Sequence, residues 1–442
     1  VASLFAIALF AIPGLALTSF FPGLRAVPWT RRPGYGYPLG VAAVAGSLYM
    51  LSALLAVPLR RPAVFGVVAA LTAAGGIKTL LVRRAASARR PIRGRRAVLA
   101  AVVLIAAGVS AGLLAEAVAE PLRDWDGRMH WSAQARYIRF EGTVLPLAIT
   151  RGQWFINHPR YPVLMPVSQV AVLEATGAGQ DKFPFRVVYA AFFPALLMLL
   201  YDGARRWAGW LPAAIAVAAA CGLRFLTFYA DGGAMSSYSD LPLGCFYGAA
   251  LILLLRGRTA AADGVAAGLF LGAAALTKNE GTILAAAALI AGSLPLFYLW
   301  KGRRRGRQRL LLKGARLCAA AAVFLAALAF FISWRSAIPN RQDENYEGYV
   351  RLESLWPEAV TRLPSFAGEI LARTFLTWDH WTGFWWVFVI VLIAGRNVLR
   401  GRRGALSRPL ALAALTPLCV GWGAYSVNEG PEWLIKVTWE RF

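Results

Sequence analysis

Acid is scarce in this sequence, histidine scarcer still, and cysteine carries no pattern. There are 22 Asp and Glu against 47 Lys and Arg, with three His and four Cys in 442 residues. Cys221, Cys245, Cys318 and Cys419 each fall inside an apolar run and none forms a CxxC. That spacing excludes a zinc framework or a disulfide scaffold and leaves small core hydrophobes. Soluble-enzyme signatures are missing too. There is no P-loop, no HExxH and no complete GxGxxG, since Gly177-Ala178-Gly179 fails at its last glycine. Gly108-Val109-Ser110-Ala111-Gly112 matches GxSxG, but inside an apolar helix it reads as a packing face and not a nucleophile elbow. Period-two alternation is almost absent, which excludes a transmembrane barrel.

What fills the chain is apolar: 58% of residues are hydrophobic and 16% charged. Repeated apolar runs imply an all-α, polytopic membrane protein of about 12 transmembrane helices. They are drawn at Val1–Phe21, Pro38–Val57, Ala63–Val82, Ala97–Ala119, Phe183–Tyr201, Leu211–Tyr229, Ser239–Leu255, Ala262–Leu276, Thr282–Trp300, Leu317–Trp334, Trp381–Ile393 and Pro409–Val427. The first lacks a basic leader and a clear cleavage site, so it reads as a membrane helix and not a signal peptide.

The net charge of +25 does not call for nucleic acid. Six segments, Leu24–Tyr37, Arg83–Arg96, Asp202–Gly209, Arg256–Asp263, Lys301–Arg316 and Arg396–Arg408, hold 27 Lys and Arg with two acids, which leaves the remainder neutral. Helix counting puts all six at one membrane face, the cytoplasmic one by the positive-inside rule. The opposite face receives Glu120–Lys182, Ala230–Tyr238, Thr277–Gly281, Arg335–His380 and the tail from Asn428, together with His130, His158 and His380. Arg60-Arg61, in a short outer turn, is the one misfit and reads as snorkelling.

Two outer loops, 120–182 and 335–380, are long enough to carry function. In the first, Met129, Ala133, Tyr137 and Phe140 recur at helical spacing and predict an interfacial helix over Arg128–Glu141, with a second over Val163–Leu173. Gly264, Gly268 and Gly272 predict close helix packing.

The chemistry-bearing groups stand at the outer helix ends. Asp124 and Asp126 flank Trp125 where a helix emerges. Carboxylates there suit taking a proton or orienting a metal, although Asp126 also fits an ordinary helix cap. Lys278 is placed for a lipid-linked phosphate with Glu280 fixing it, or is a plain interfacial lysine. Ser239-Asp240-Leu241-Pro242 opens a helix in the ordinary way, and Asp231 is a second acid in that loop. Trp378-Asp379-His380-Trp381 reads first as an aromatic belt. Convergence of these clusters on one face is what a site between helices requires.

In order and sidedness these stretches resemble the GT-C glycosyltransferases, membrane enzymes such as the protein O-mannosyltransferases and the bacterial lipid A aminoarabinose transferase. Asp124-Trp125-Asp126 stands for their acidic motif. His158-Pro159-Arg160-Tyr161-Pro162, Tyr238-Ser239-Asp240-Leu241-Pro242 and Leu276-Thr277-Lys278-Asn279-Glu280-Gly281 look like their recurrent stretches, over about Ala97–His380. Asp-Trp-Asp replaces the Asp-Glu pair of the mannosyltransferases. The chain divides into three N-terminal helices and a basic loop (1–96) that the resemblance does not match, a catalytic core (97–380) that it covers, and C-terminal helices with a short tail (381–442). The resemblance implies inverting transfer of a sugar from a polyprenyl-phosphate donor to a glycan, lipid or protein acceptor at the extracytoplasmic side of a bacterial plasma membrane. Asp126 and Asp124 would be catalytic. Lys278, Glu280, Arg160, His158, Asp240 and His130 would hold donor phosphate or substrate, and a divalent cation, magnesium or manganese, would be a compatible addition. A lipid-linked sugar flippase would want ionisable groups near mid-membrane and paired broken helices, which the sequence does not display. A non-catalytic assembly protein would tolerate loss of both aspartates.

Overall fold

A computed structural model describes residues 2–81, 93–151, 158–179, 184–207, 209–227, 233–256, 260–301 and 307–339. The two helices drawn after Trp381, most of the 335–380 loop, Asp231, Asp379, His380 and Cys419 lie outside them. Every regular element among the described residues is helical. The chain runs through α1 (Ala2–Leu17), α2 (Pro22–Arg25), α3 (Pro33–Leu55), α4 (Arg61–Leu81) and α5 (Arg93–Ala119). After a π-helical turn at Gly127–Ser132 come α6 (Ala133–Glu141), α7 (Leu147–Thr150), α8 (Leu164–Thr176), α9 (Arg186–Ala190) and α10 (Phe192–Trp207). Then follow α11 (Trp210–Gly222), α12 (Arg224–Thr227), α13 (Asp240–Leu255), α14 (Ala261–Thr277), α15 (Glu280–Lys301) and α16 (Arg307–Ser336).

Among the described residues, six stretches are long and apolar enough to cross a membrane: Ala2–Phe20, Pro33–Leu55, Arg61–Leu81, Ala97–Ala119, Arg186–Trp207 and Leu310–Ser336. Shorter apolar helices lie among them. One contiguous apolar core joins α1 at Ala6 to Ile338 just beyond α16. The small-residue stripe on α14 has the packing role expected of it. A β-carbon on Gly268 would stand 2.6 Å from the Ala320 carbonyl oxygen and one on Gly272 2.8 Å from Ala327, so α14 and α16 approach as only glycine allows. The GxSxG stretch behaves differently: Ser110 bonds the Ala106 carbonyl at 2.6 Å within α5, while Gly108 and Gly112 face open space.

Long α-helices separate two polar ends. Asp240 opens α13 and Arg256 follows its last residue, about 24 Å away along the axis at 1.5 Å per residue. At the Arg256 end three of the six basic segments meet around Asp202. Asp202 pairs with Arg31 (2.6 Å), Arg206 (3.0 Å) and Arg256 (3.1 Å), and Asp263 accepts from the Gly23 N–H at 2.7 Å. The other end gathers the 120–128 stretch, the 233–240 turn, the α14–α15 junction and Arg335, whose guanidinium reaches Asn279 at 3.4 Å. Among the described residues, Arg31, Arg206 and Arg256 thus lie at the end of the bundle remote from Asp240.

Three local expectations are corrected. Arg60 and Arg61 do not merely snorkel. Arg60 donates to the carbonyls of Arg139 (2.7 Å) and Phe140 (3.0 Å), and Arg61 to that of Glu174 (2.9 Å). Both thus satisfy the open carbonyls at the C-termini of α6 and α8, each of which ends on a left-handed glycine, Gly142 or Gly177. The helix drawn over Val163–Leu173 is α8, and its residues from Leu164 to Leu173 are all buried. A helix apolar on every face belongs in the core, and this one packs on α3 and α6 instead of lying at the interface. Finally, the Asp126 side chain does not cap the following helix. The stripe beside it keeps its outward aspect: Phe140 is 81% exposed, while His130, Gln134, Ala135 and Ile138 form the buried face.

Candidate functional site

The site starts where α5 ends. Leu122 is buried and anchors the stretch, leaving Asp124 and Asp126 half-buried around an exposed Trp125. The Asp126 N–H donates to the Tyr238 hydroxyl at 3.1 Å. One residue on, a β-carbon on Gly127 would stand 2.5 Å from the Ser236 carbonyl oxygen, so only glycine lets the two backbones approach this closely. Arg186, at the start of α9, clamps the same two segments by donating to the Glu120 carbonyl and, at 3.0 Å, to that of Met235. Asp124, Glu116 and Glu120 surround this buried guanidinium with negative charge.

The chain then winds into a π-turn, the wider helical form that recurs at functional sites. This aims His130 at the turn around His158 and Tyr161. Its ring centroid lies 4.3 Å from Trp131, 4.9 Å from Tyr161 and 5.7 Å from His158. His158 adopts φ +58°, the left-handed region that a non-glycine residue enters only when its surroundings hold it there. Gln134 helps by donating its amide to the His158 carbonyl at 3.3 Å, and Pro159 beside it is buried. Arg160 is half-buried in the same turn.

On the far side of Tyr238, the turn ends at Asp240 in the first turn of α13. The Lys278 ammonium lies 2.7 Å from the Asp240 carboxylate and 3.5 Å from Glu280. Lys278 is 7% exposed and Asp240 13%, so the pair is largely removed from water. Sequence reasoning chose Glu280 as the partner of Lys278; the structure makes Asp240, 38 positions away, the nearer one. Ser237 and Ser239, either side of Tyr238, are fully buried, and neither hydroxyl has a hydrogen-bond partner among the described residues.

Two contiguous groups result: Asp124 and Asp126 with Tyr238, Asp240, Lys278 and Glu280, and the His130–His158–Tyr161 cluster one π-turn further along the chain. Arg186 was not foreseen. Its only sequence signal is a lone arginine opening an apolar run after Phe183-Pro184-Phe185. Among the described residues no three His, Cys, Asp or Glu side chains gather as metal ligands, so we assign no step to a divalent cation. Such an arrangement offers carboxylates beside a buried ammonium and a histidine-aromatic wall, which can accept a proton and hold an anion or a sugar face. Comparison with protein-family models, curated proteins and solved structures finds no match to this chain.

Proposed function

We propose that this protein is a twelve-span membrane glycosyltransferase of GT-C type that moves a sugar from a polyprenyl-phosphate donor to an extracytoplasmic acceptor. The observation that carries the reading is the Asp126–Tyr238 hydrogen bond. It joins the acidic stretch after α5 to the turn that delivers Asp240 and, through it, Lys278. Elements more than a hundred residues apart thus bring carboxylates and a cation to one end of an apolar bundle, an arrangement that supports binding of a lipid phosphate beside a polar acceptor.

In this proposal Asp126 takes the proton from the acceptor hydroxyl. The hydroxyl oxygen bonds to the anomeric carbon as the bond from that carbon to the phosphate oxygen breaks. The electron pair leaves with the polyprenyl phosphate, inverting the centre. Asp124 orients the acceptor. An ammonium carries three donors, and Asp240 holds one of them at 2.7 Å. The departing phosphate competes with the more distant Glu280 for the charge of Lys278, which offsets the negative charge that grows in the transition state. Arg160, His158 and His130 line the donor side, and Tyr161 and Trp131 offer ring faces to the sugar.

The test uses the purified protein in proteoliposomes with radiolabelled polyprenyl-phosphate sugars. Wild type should consume lipid-linked sugar, and Asp126→Asn should lower the rate at least a hundredfold, the order expected for loss of a general base, with an unchanged thermal transition. Normal transfer by both Asp126→Asn and Asp124→Asn would remove these residues from the chemistry. Failure of folded wild type to consume any lipid-linked sugar would argue against the transferase reading itself.

A further inference from the structure

The end of the bundle remote from this site has a charge imbalance that the proposed chemistry does not use. Arg31, Arg206 and Arg256 all pair with one carboxylate, that of Asp202, which is wholly buried and also accepts from the Tyr35 hydroxyl at 2.8 Å. Among the described residues no other carboxylate pairs with these three arginines. Arg205 adds a further exposed guanidinium next in sequence to Arg206. Asp263, a second acid at this end, is spent on backbone N–H groups, those of Gly23 at 2.7 Å and Ala260 at 3.1 Å.

Crowded guanidiniums repel one another, and the cost rises where neighbouring helices exclude water. Arg31 stands among these charges. Burial lowers its pKa below the ordinary arginine value, Asp202 opposes the shift, and Arg205 and Arg206 both add to it. An anion placed against Arg31, Arg205 and Arg206 relieves the repulsion that Asp202 alone leaves. Two of these groups are reachable, the Arg206 side chain being 36% exposed and Arg205 open, while Arg31 backs them at 14% exposure.

The surroundings state the depth. Trp29 is 63% exposed, and the Arg32 guanidinium stacks 5.4 Å from its ring. Arg31 lies 5.7 Å from the Tyr201 ring, and Trp207 and Trp210 flank the turn after α10. Tryptophan and tyrosine beside arginine, at the ends of membrane-length helices, mark the headgroup level of a bilayer. We propose that Arg31, Arg205 and Arg206 form a binding site for a phosphate-bearing anion, supplied by the headgroup of an anionic phospholipid. The site would hold the basic end in register while the distant end does its chemistry.

The experiment titrates the purified full-length protein in a neutral detergent with short-chain phosphatidylglycerol, phosphatidylcholine or inorganic phosphate, reading the thermal transition and lipid adducts by native mass spectrometry. Phosphatidylglycerol should bind and raise the transition, with phosphatidylcholine far weaker. Arg205→Gln, which breaks none of the ion pairs above, should weaken phosphatidylglycerol about fivefold, the share of one interfacial arginine. Arg31→Gln should weaken it further. Arg136→Gln, an exposed position on α6 at the opposite end, should leave it unchanged. If inorganic phosphate protects as well as the lipid and competes with it, the phosphate site stands and a soluble phosphate is its occupant. Equal binding of the two lipids, or equal losses in Arg205→Gln and Arg136→Gln, would overturn the site.

Discussion

Lys278 and Asp240 stand 38 positions apart in the chain and 2.7 Å apart in space, an ion pair that ties the start of α13 to the end of α14. Removing one member of so enclosed a pair strands the other. Lys278→Met should therefore destabilise the protein by roughly 3 kcal/mol. Lys278→Met with Asp240→Leu should recover most of that loss, because neither charge is then left alone. A thermal-melt double-mutant cycle measures both, and additive effects would show the pair to be uncoupled.

Tyr238→Phe removes the hydroxyl that accepts from the Asp126 N–H. The expected cost is about 1 kcal/mol in stability. Transfer from lipid-linked sugar should fall by a larger factor, since the acidic stretch loses its tie to the Asp240 turn. A variant with the melt lowered and the rate untouched would make Tyr238 purely structural.

Gly127→Ala puts a methyl group 2.5 Å from the Ser236 carbonyl oxygen. Backbone must move, at about 1–3 kcal/mol, and the aspartate stretch moves with it. Gly108→Ala is the control, because it meets open space. Chemical melts of the two variants should differ accordingly.

Asp202→Asn should be the most damaging single substitution of the four. It leaves Arg31, Arg206 and Arg256 facing one another with no carboxylate, at roughly 3–5 kcal/mol. Yield of folded protein from the membrane and the melting temperature both read this out.

Legibility followed the range over which each signal acts. Apolar runs are local, and the helices from α1 to α16 follow them, with differences at the ends. Arg186–Trp207 continues past the Tyr201 boundary because Asp202 is neutralised by Arg31 and Arg256 from two other segments and by Arg206 one turn along its own helix, so a charge that looked like a loop residue sits within a helix. The site residues were recognisable as types at helix ends: Asp124, Asp126, Asp240, Lys278, Glu280, His130, His158 and Arg160 all lie at the end opposite the basic segments. Their partners were not. Arg186 has no motif, and the roles of Arg60 and Arg61 exist only once α6 and α8 present their open carbonyls to them.

By itself, the sequence determined the helical membrane character of this protein and the separation of its basic segments from its acidic, histidine-bearing stretches. Hydrophobic burial and charge placement act on composition and period, which can be read in one dimension. Tertiary structure alone decided that Asp240 is the nearest carboxylate to Lys278, that Tyr238 holds the Asp126 backbone, and that Asp202 gathers three arginines. Those are pairings of short-range, directional groups, and their strength depends on distances of a few ångströms that only the packed helices set.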